Sequence, residues 1–121
     1  MTKNEIIDYA LGLPVSAADC PFTEDFETTV LRHRDSRKWF GIILAVPQTF
    51  FGRAEQALNL KCPPELIPLL AEKYAGLIFP AYHMNRKHWI TVRMCADDDI
   101  IKQLISLSYD ITDNKRRHET E

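Results

Sequence analysis

Thr28-Thr29-Val30-Leu31-Arg32-His33-Arg34, then Asp35-Ser36, then Arg37-Lys38-Trp39-Phe40-Gly41-Ile42-Ile43-Leu44-Ala45-Val46 run consecutively, and their order decides the fold. The first run is rich in β-branched residues and reads as a strand. Asp35-Ser36 is a short turn. The second run is continuously apolar from Trp39, the pattern of a central strand buried on both faces. So short a connection joins antiparallel neighbours, because parallel strands need a crossover of about a dozen residues or more.

Working outward, Gln56-Ala57-Leu58-Asn59-Leu60-Lys61-Cys62 alternates and places Leu58, Leu60 and Cys62 on one side of a third strand. Pro63-Pro64 opens a helix carrying Leu66, Ile67, Leu69, Leu70 and Tyr74. Proline is tolerated in a first helical turn, so the regular part begins near Glu65 and still accommodates Pro68; Gly76 is the expected stop. A fourth strand covers His88–Cys95, with Ile90, Val92 and Met94 facing one way and Trp89, Thr91 and Arg93 the other. Asp97-Asp98-Asp99 begins a final helix, with Ile100, Leu104, Leu107, Ser108 and Ile111 on one stripe and Lys115-Arg116-Arg117 near its end.

Upstream, Thr2-Lys3-Asn4-Glu5 has capping-box spacing, and Ile6, Ile7, Ala10 and Leu11 follow at helical intervals until Gly12 and Pro14. Residues 14–27 and 47–52 read as loops, the second containing Phe50 and Phe51. The expected order is helix, three strands, helix, strand, helix. That is an α+β domain: an antiparallel sheet with helices packed on one face, the N- and C-terminal helices flanking.

The 121 residues fit a single domain over 1–121, the last five or so frayed, and no apolar run reaches the ~20 residues that span a bilayer. Three widely spaced cysteines, Cys20, Cys62 and Cys95, form neither a disulfide framework nor a C-x-x-C pair. With no signal-peptide layout at the N-terminus, these features place the expected protein in the cytoplasm, as a monomer. The net charge of −2 hides a partition. Residues 1–30 carry one cation and six carboxylates, residues 31–96 ten cations and four carboxylates, residues 97–121 four and seven. Local patches rather than totals steer binding, so the basic middle matters, unless folding lays the acidic ends over it.

Two segments hold candidate chemistry. The hairpin Arg32-His33-Arg34-Asp35-Ser36-Arg37-Lys38 groups four arginines and lysines around a tight turn, which can grip phosphates or enter a DNA groove. Pro80-Ala81-Tyr82-His83-Met84-Asn85-Arg86-Lys87-His88-Trp89 mixes rings, imidazoles and cations in a turn-like stretch, suited to stacking on bases and holding phosphates. One reading takes Arg32, Arg34, Arg37, Lys38, Arg86, Lys87 and Arg93 as phosphate contacts. The other takes Tyr82, His83, Asn85, His88 and Trp89 as a pocket for a small ligand or protein segment. In the plainest reading Trp89 is a sheet-face residue and the cations decorate solvated turns. No phosphate loop or nucleophile motif occurs, and the histidines lack the close paired spacing of a zinc site. The sequence points to a binding module rather than an enzyme, with no metal or cofactor. Cys62, between Lys61 and Pro63 just before a helix, reads as a buried structural cysteine rather than a reactive one.

Four pieces together resemble the MmcQ/YjbR family of small bacterial proteins. They are Lys38-Trp39-Phe40-Gly41, Leu60-Lys61-Cys62-Pro63-Pro64-Glu65, Leu107-Ser108-Tyr109-Asp110 and, most distinctive, Pro80–Trp89, similar to a P-(G/A)-Y-H-M-N-K-x-H-W block. They span residues 38–110 in the family's order. The resemblance implies a compact α+β domain related to the frataxin/CyaY-like arrangement and DNA binding through two wings, without catalytic residues. The wings would be the hairpin at Asp35-Ser36 and the loop Tyr82–Lys87. Iron binding of the frataxin kind does not carry over, since its acidic ridge has no counterpart here. The loop Pro47–Arg53 departs from the family pattern, being longer and more aromatic.

Overall fold

A computed structural model describes residues 1–22, 24–25 and 27–113. The helix end expected at Lys115-Arg116-Arg117 and the frayed tail lie outside them. Six strands form one antiparallel sheet: β1 Ser16–Asp19, β2 Thr29–His33, β3 Trp39–Val46, β4 Glu55–Lys61, β5 Ile78–Pro80 and β6 Trp89–Arg93, in spatial order β1-β2-β3-β4-β6-β5. Among the described residues, four helices accompany it: α1 Lys3–Leu11, α2 Gln48–Phe51, α3 Ile67–Lys73 and α4 Asp98–Thr112. A 3-10 turn at Pro64–Leu66 leads into α3, with Pro68 at its start as expected.

Four expected strands and three expected helices are present, and the β2–β3 hairpin has the expected antiparallel pairing. Two strands and one helix were not anticipated. β1 lies within the stretch read as a loop, and β5 directly after α3. Both are edge strands, three or four residues long, too short to carry a periodic signature. α2 occupies the aromatic loop after Pro47.

One face of the sheet meets the long helices. Leu31, Phe40, Ile43, Leu58, Leu60, Ile90 and Val92 are fully buried there, against Ile6, Ala10, Ile101 and Ile105. The Thr2 hydroxyl and Glu5 carboxylate form the capping box that starts α1. The Asp97 carboxylate accepts from Asp99 N at 2.9 Å and caps α4.

The registers of β3 shift by one residue at Phe40: Gly41 opposes Leu31, while Trp39 opposes Arg32. Gly41 stands beside the bulge, facing the buried Leu31 side chain. A Cβ on Gly41 would lie 2.8 Å from Leu31 Cδ1. Where the β3–β4 ladder opens, Ser108 of α4 enters it. Its hydroxyl donates to Phe40 O at 2.5 Å and accepts from Lys61 N at 2.9 Å. One turn later the Thr112 hydroxyl donates to Ser108 O at 2.7 Å and lies 2.7 Å from His33 Nε2. The His33, Phe40 and Tyr109 rings form a mutual cluster, with His33 5.2 Å from Phe40 and 4.5 Å from Tyr109, and Phe40 and Tyr109 5.3 Å apart edge-on. His33, one of the imidazoles weighed as a metal ligand, is thus a core residue.

Burial pushes His33 below its ordinary 6.5, against the pull of the Asp113 and Asp35 carboxylates, with Lys38 nearby adding to the shift. The unfolded chain therefore takes up a proton at His33 before the folded protein does. This contribution to stability is complete above pH 6.5 and is lost as pH falls towards the depressed folded value. The unfolding free energy measured by urea titration is expected to fall between pH 7.5 and 5.5, by at most about 1.4 kcal/mol per pH unit. In His33→Gln, whose amide can still hydrogen-bond Thr112, that part of the pH dependence should vanish. An equal fall in both proteins assigns the effect to other groups.

Candidate nucleic-acid interface

The pairings Gly41 with Leu60 and Lys61 with Trp89 bring the start of β3, the end of β4 and the start of β6 to one end of the sheet. The β2–β3 turn and the β5–β6 connection both leave from that end. In the observed strand order, three strand spacings separate the two hairpin axes, about 14 Å.

The β2–β3 tip is closed by His33 N to Lys38 O and Arg37 N to His33 O, both 2.9 Å. Arg37 adopts a left-handed conformation, φ 66°. Arg34, Arg37 and Lys38 are exposed. In the second tip, Asn85 organises the turn: its carbonyl accepts from His88 N and Trp89 N, and its side-chain oxygen accepts from Lys87 N at 2.9 Å. Arg86 and Lys87 project from it, exposed. Among the described residues, Arg34, Arg37, Arg86 and Lys87 enter no ion pair.

The expected set of seven cations is thereby divided. Arg34, Arg37, Lys38, Arg86 and Lys87 sit on the two tips. Arg32 lies on the sheet face, bound to Asp19 at 2.9 Å with its guanidinium 5.9 Å from the Trp39 ring centre. Arg93 is at the opposite end of β6, about 13 Å from Trp89 along the strand, held by Glu55 at 2.7 Å and stacked 5.6 Å from Phe51. The structure does not bring Arg93 to the tips. A strand places residues by distance along its axis, which sequence grouping ignored. The acidic start of α4 is also remote from the tips, because α4 reaches them only near Ser108 and Thr112. Its Asp98 binds the N-terminal ammonium, which also donates to Met94 O beyond β6.

The second face of the sheet is not bare. Phe50 and Phe51 of α2 pack on Phe79 and Tyr82, with ring centroids 5.1–5.5 Å apart. The unanticipated short α2 thus covers part of the face opposite α1 and α4. Beneath Tyr82 lies a closed ring of hydrogen bonds. Tyr82 N donates to Thr91 Oγ1 at 2.8 Å, Thr91 Oγ1 to Asn59 Oδ1 at 2.6 Å, and Asn59 Nδ2 back to Tyr82 O at 2.8 Å. Asn59 and Thr91 are fully buried, so the ring fixes the loop backbone to β4 and β6. His83 follows at φ 64°, its ring 4.3 Å from that of Tyr82.

The pinned loop forms one wall of an open groove of about 570 Å³, bounded by Trp39, Ile42, Leu44, Tyr82, His83 and Met84. Phe22 meets the Trp39 ring edge-on at 6.2 Å. Of the pocket expected from sequence, Tyr82 and His83 line this groove. Asn85 and His88 are exposed in the turn, and Trp89 lies beside Lys61, outside the lining. Trp39 was missed as a groove residue because its continuous apolar run read as core. Asn59 gave a usable signal: an amide facing away from Leu58 and Leu60 in a strand needs a buried partner. Cys62 is buried, its thiol pushed up to about 11 chiefly by that burial and secondarily by Glu65, so it is a protonated core group. No cluster of three or more His, Cys, Asp or Glu suited to a metal occurs among the described residues. Nor is any described helix long and apolar enough to cross a membrane.

An antiparallel six-stranded sheet backed by terminal helices, with two hairpins leaving one end, defines the class: a small α+β domain with a double-hairpin rim. The chain belongs to the YjbR family, whose model matches residues 11–111. It is 32% identical to the uncharacterised protein YyaQ of Bacillus subtilis over 118 residues, 93% of this chain and 98% of YyaQ. A Pseudomonas syringae protein is similar in its crystal structure at a TM-score of 0.84 and 32% identity, covering 93% of this chain and 100% of that one. A Deinococcus radiodurans protein of domain DUF419 shares the fold at a TM-score of 0.74 and 24% identity, covering 98% and 86% of the two chains.

Proposed function

We propose that this protein binds DNA by holding its phosphates between the two hairpin tips. The observation that carries this reading is the projection of both cationic tips, Arg34-Arg37-Lys38 and Arg86-Lys87, from the same end of one rigid sheet. Arginine guanidinium groups contact phosphate oxygens without reading sequence, so this affinity is largely sequence-independent. Asp35 and Asp113 lie at the same end, near His33, and moderate the positive field. The resulting binding is weak to moderate and strongly salt-dependent.

Fluorescence anisotropy with a labelled oligonucleotide at about 50 and 200 mM salt tests this. Affinity is expected to fall steeply with salt, and Arg34→Ala/Arg86→Ala should reduce the slope of log K against log salt by about two. Absence of binding at low salt, or binding indifferent to the double substitution, removes the reading. Arg93→Ala is the internal control and should leave binding unchanged.

A further inference from the structure

We infer that the groove between Trp39 and Tyr82 takes an unpaired base, so the preferred nucleic acid is single-stranded; this rests on the phosphate-binding reading above. Two observations carry it. The groove presents the rings of Trp39, Tyr82 and His83 on a mostly apolar surface that includes Ile42, Leu44 and Met84, with Asp25 and Thr28 as polar members, and it is open to solvent. It also lies beside the two cationic tips: Trp39 is the first residue of β3 after Lys38, and Tyr82 and His83 stand three or four residues before Arg86.

A strand whose phosphates run along the tips therefore has its bases within reach of the aromatic wall. Planar heteroaromatic rings stack on such walls whatever their sequence, whereas a paired base in a duplex has its faces covered by its neighbours. The wall is also preorganised. The Asn59–Thr91–Tyr82 ring fixes the loop backbone, and Phe50 supports the Tyr82 side chain edge-on at 5.4 Å. Ligand binding thus requires little ordering of this wall. The Asp25 carboxylate on the lining repels phosphate, which keeps the backbone on the tips and leaves the groove to the base.

The test compares a mixed-sequence single strand of about 12 nucleotides, the duplex of equal length and a free mononucleotide. The single strand is expected to bind at least tenfold more tightly than the other two. Tyr82→Leu retains apolar bulk while removing the stacking face, and should weaken the single strand about tenfold with little effect on the duplex. As a measurement that does not depend on a groove variant folding, Trp89→Phe leaves Trp39 as the sole tryptophan. Its emission should be quenched by the single strand and not by the duplex. Equal affinity for strand and duplex, an unquenched Trp39, or Tyr82→Leu binding the single strand as tightly as the parent overturns the inference while leaving phosphate binding intact. A mononucleotide that binds as tightly as the strand reassigns the groove to a small ligand. If no nucleic acid binds at low salt, the phosphate reading fails first, and this one with it.

Discussion

Phe40→Ala is expected to cost about 3–5 kcal/mol, the largest loss from any single side chain considered. Phe40 is fully buried, and its ring meets His33 at 5.2 Å and Tyr109 edge-on at 5.3 Å. It is the bulged residue of β3, and its carbonyl receives the Ser108 hydroxyl. Removing the ring leaves a cavity where the sheet register changes and where α4 is fastened to it. A domain of this kind has about 5–15 kcal/mol in total, so the variant should be largely or wholly unfolded at moderate urea concentrations that leave the parent folded. Urea titration by circular dichroism measures this. Leu69→Ala, at a side chain 60% exposed on α3, is the matched control and should move the midpoint little. A loss below about 1 kcal/mol for Phe40→Ala would show that the bulge collapses onto the space, contrary to the packing described.

The second large effect is expected at Asn59. In Asn59→Leu, the buried Thr91 hydroxyl loses its acceptor and Tyr82 O loses its donor, each costing about 1–3 kcal/mol. The two losses together amount to about 2–6 kcal/mol, part of which the buried leucine side chain offsets, but the more telling change is local. Tyr82 N would be bonded to a hydroxyl no longer held in place, so amide exchange should accelerate around Tyr82 and His83 beyond what the global loss explains. Single-stranded DNA should bind less tightly, because the wall of the groove loses its preorganisation. Unchanged local exchange would mean that Phe50 and the β5–β6 pairing suffice to hold the loop.

The two sites differ in how they are written in the chain. Phe40 is surrounded by apolar residues, and any reading of Trp39–Val46 places it in the core. What cannot be read there is the bulge. Gly41 opposite Leu31 and Ser108 in the opened ladder are separated by nearly seventy residues, and only packing brings them together. The Ser-Tyr-Asp segment of the family resemblance thereby acquires a physical reason. Ser108 supplies the ladder contact, and Tyr109 flanks His33 and donates its hydroxyl proton to Pro14 O.

Sequence alone determined the elements whose patterns are long enough to be periodic: α1 with its capping box, the β2–β3 hairpin, β4, β6 and α4. It also determined the family, because Pro80–Trp89 combines uncommon residues in a fixed order, and it located both cation-bearing turns. Tertiary structure decided what proximity in the chain cannot. It added two short edge strands, whose existence depends on a neighbour to pair with. It gave Arg32 and Arg93 to Asp19 and Glu55: Arg32 stays next to the β2–β3 tip but is bound on the sheet face, while Arg93 lies more than a nanometre from Trp89 along β6. It placed Trp39 opposite a loop more than forty residues later in the chain, making a groove of which sequence showed only one wall. The basic middle of the chain became a surface only because the registers bring two hairpin tips to the same end of the sheet.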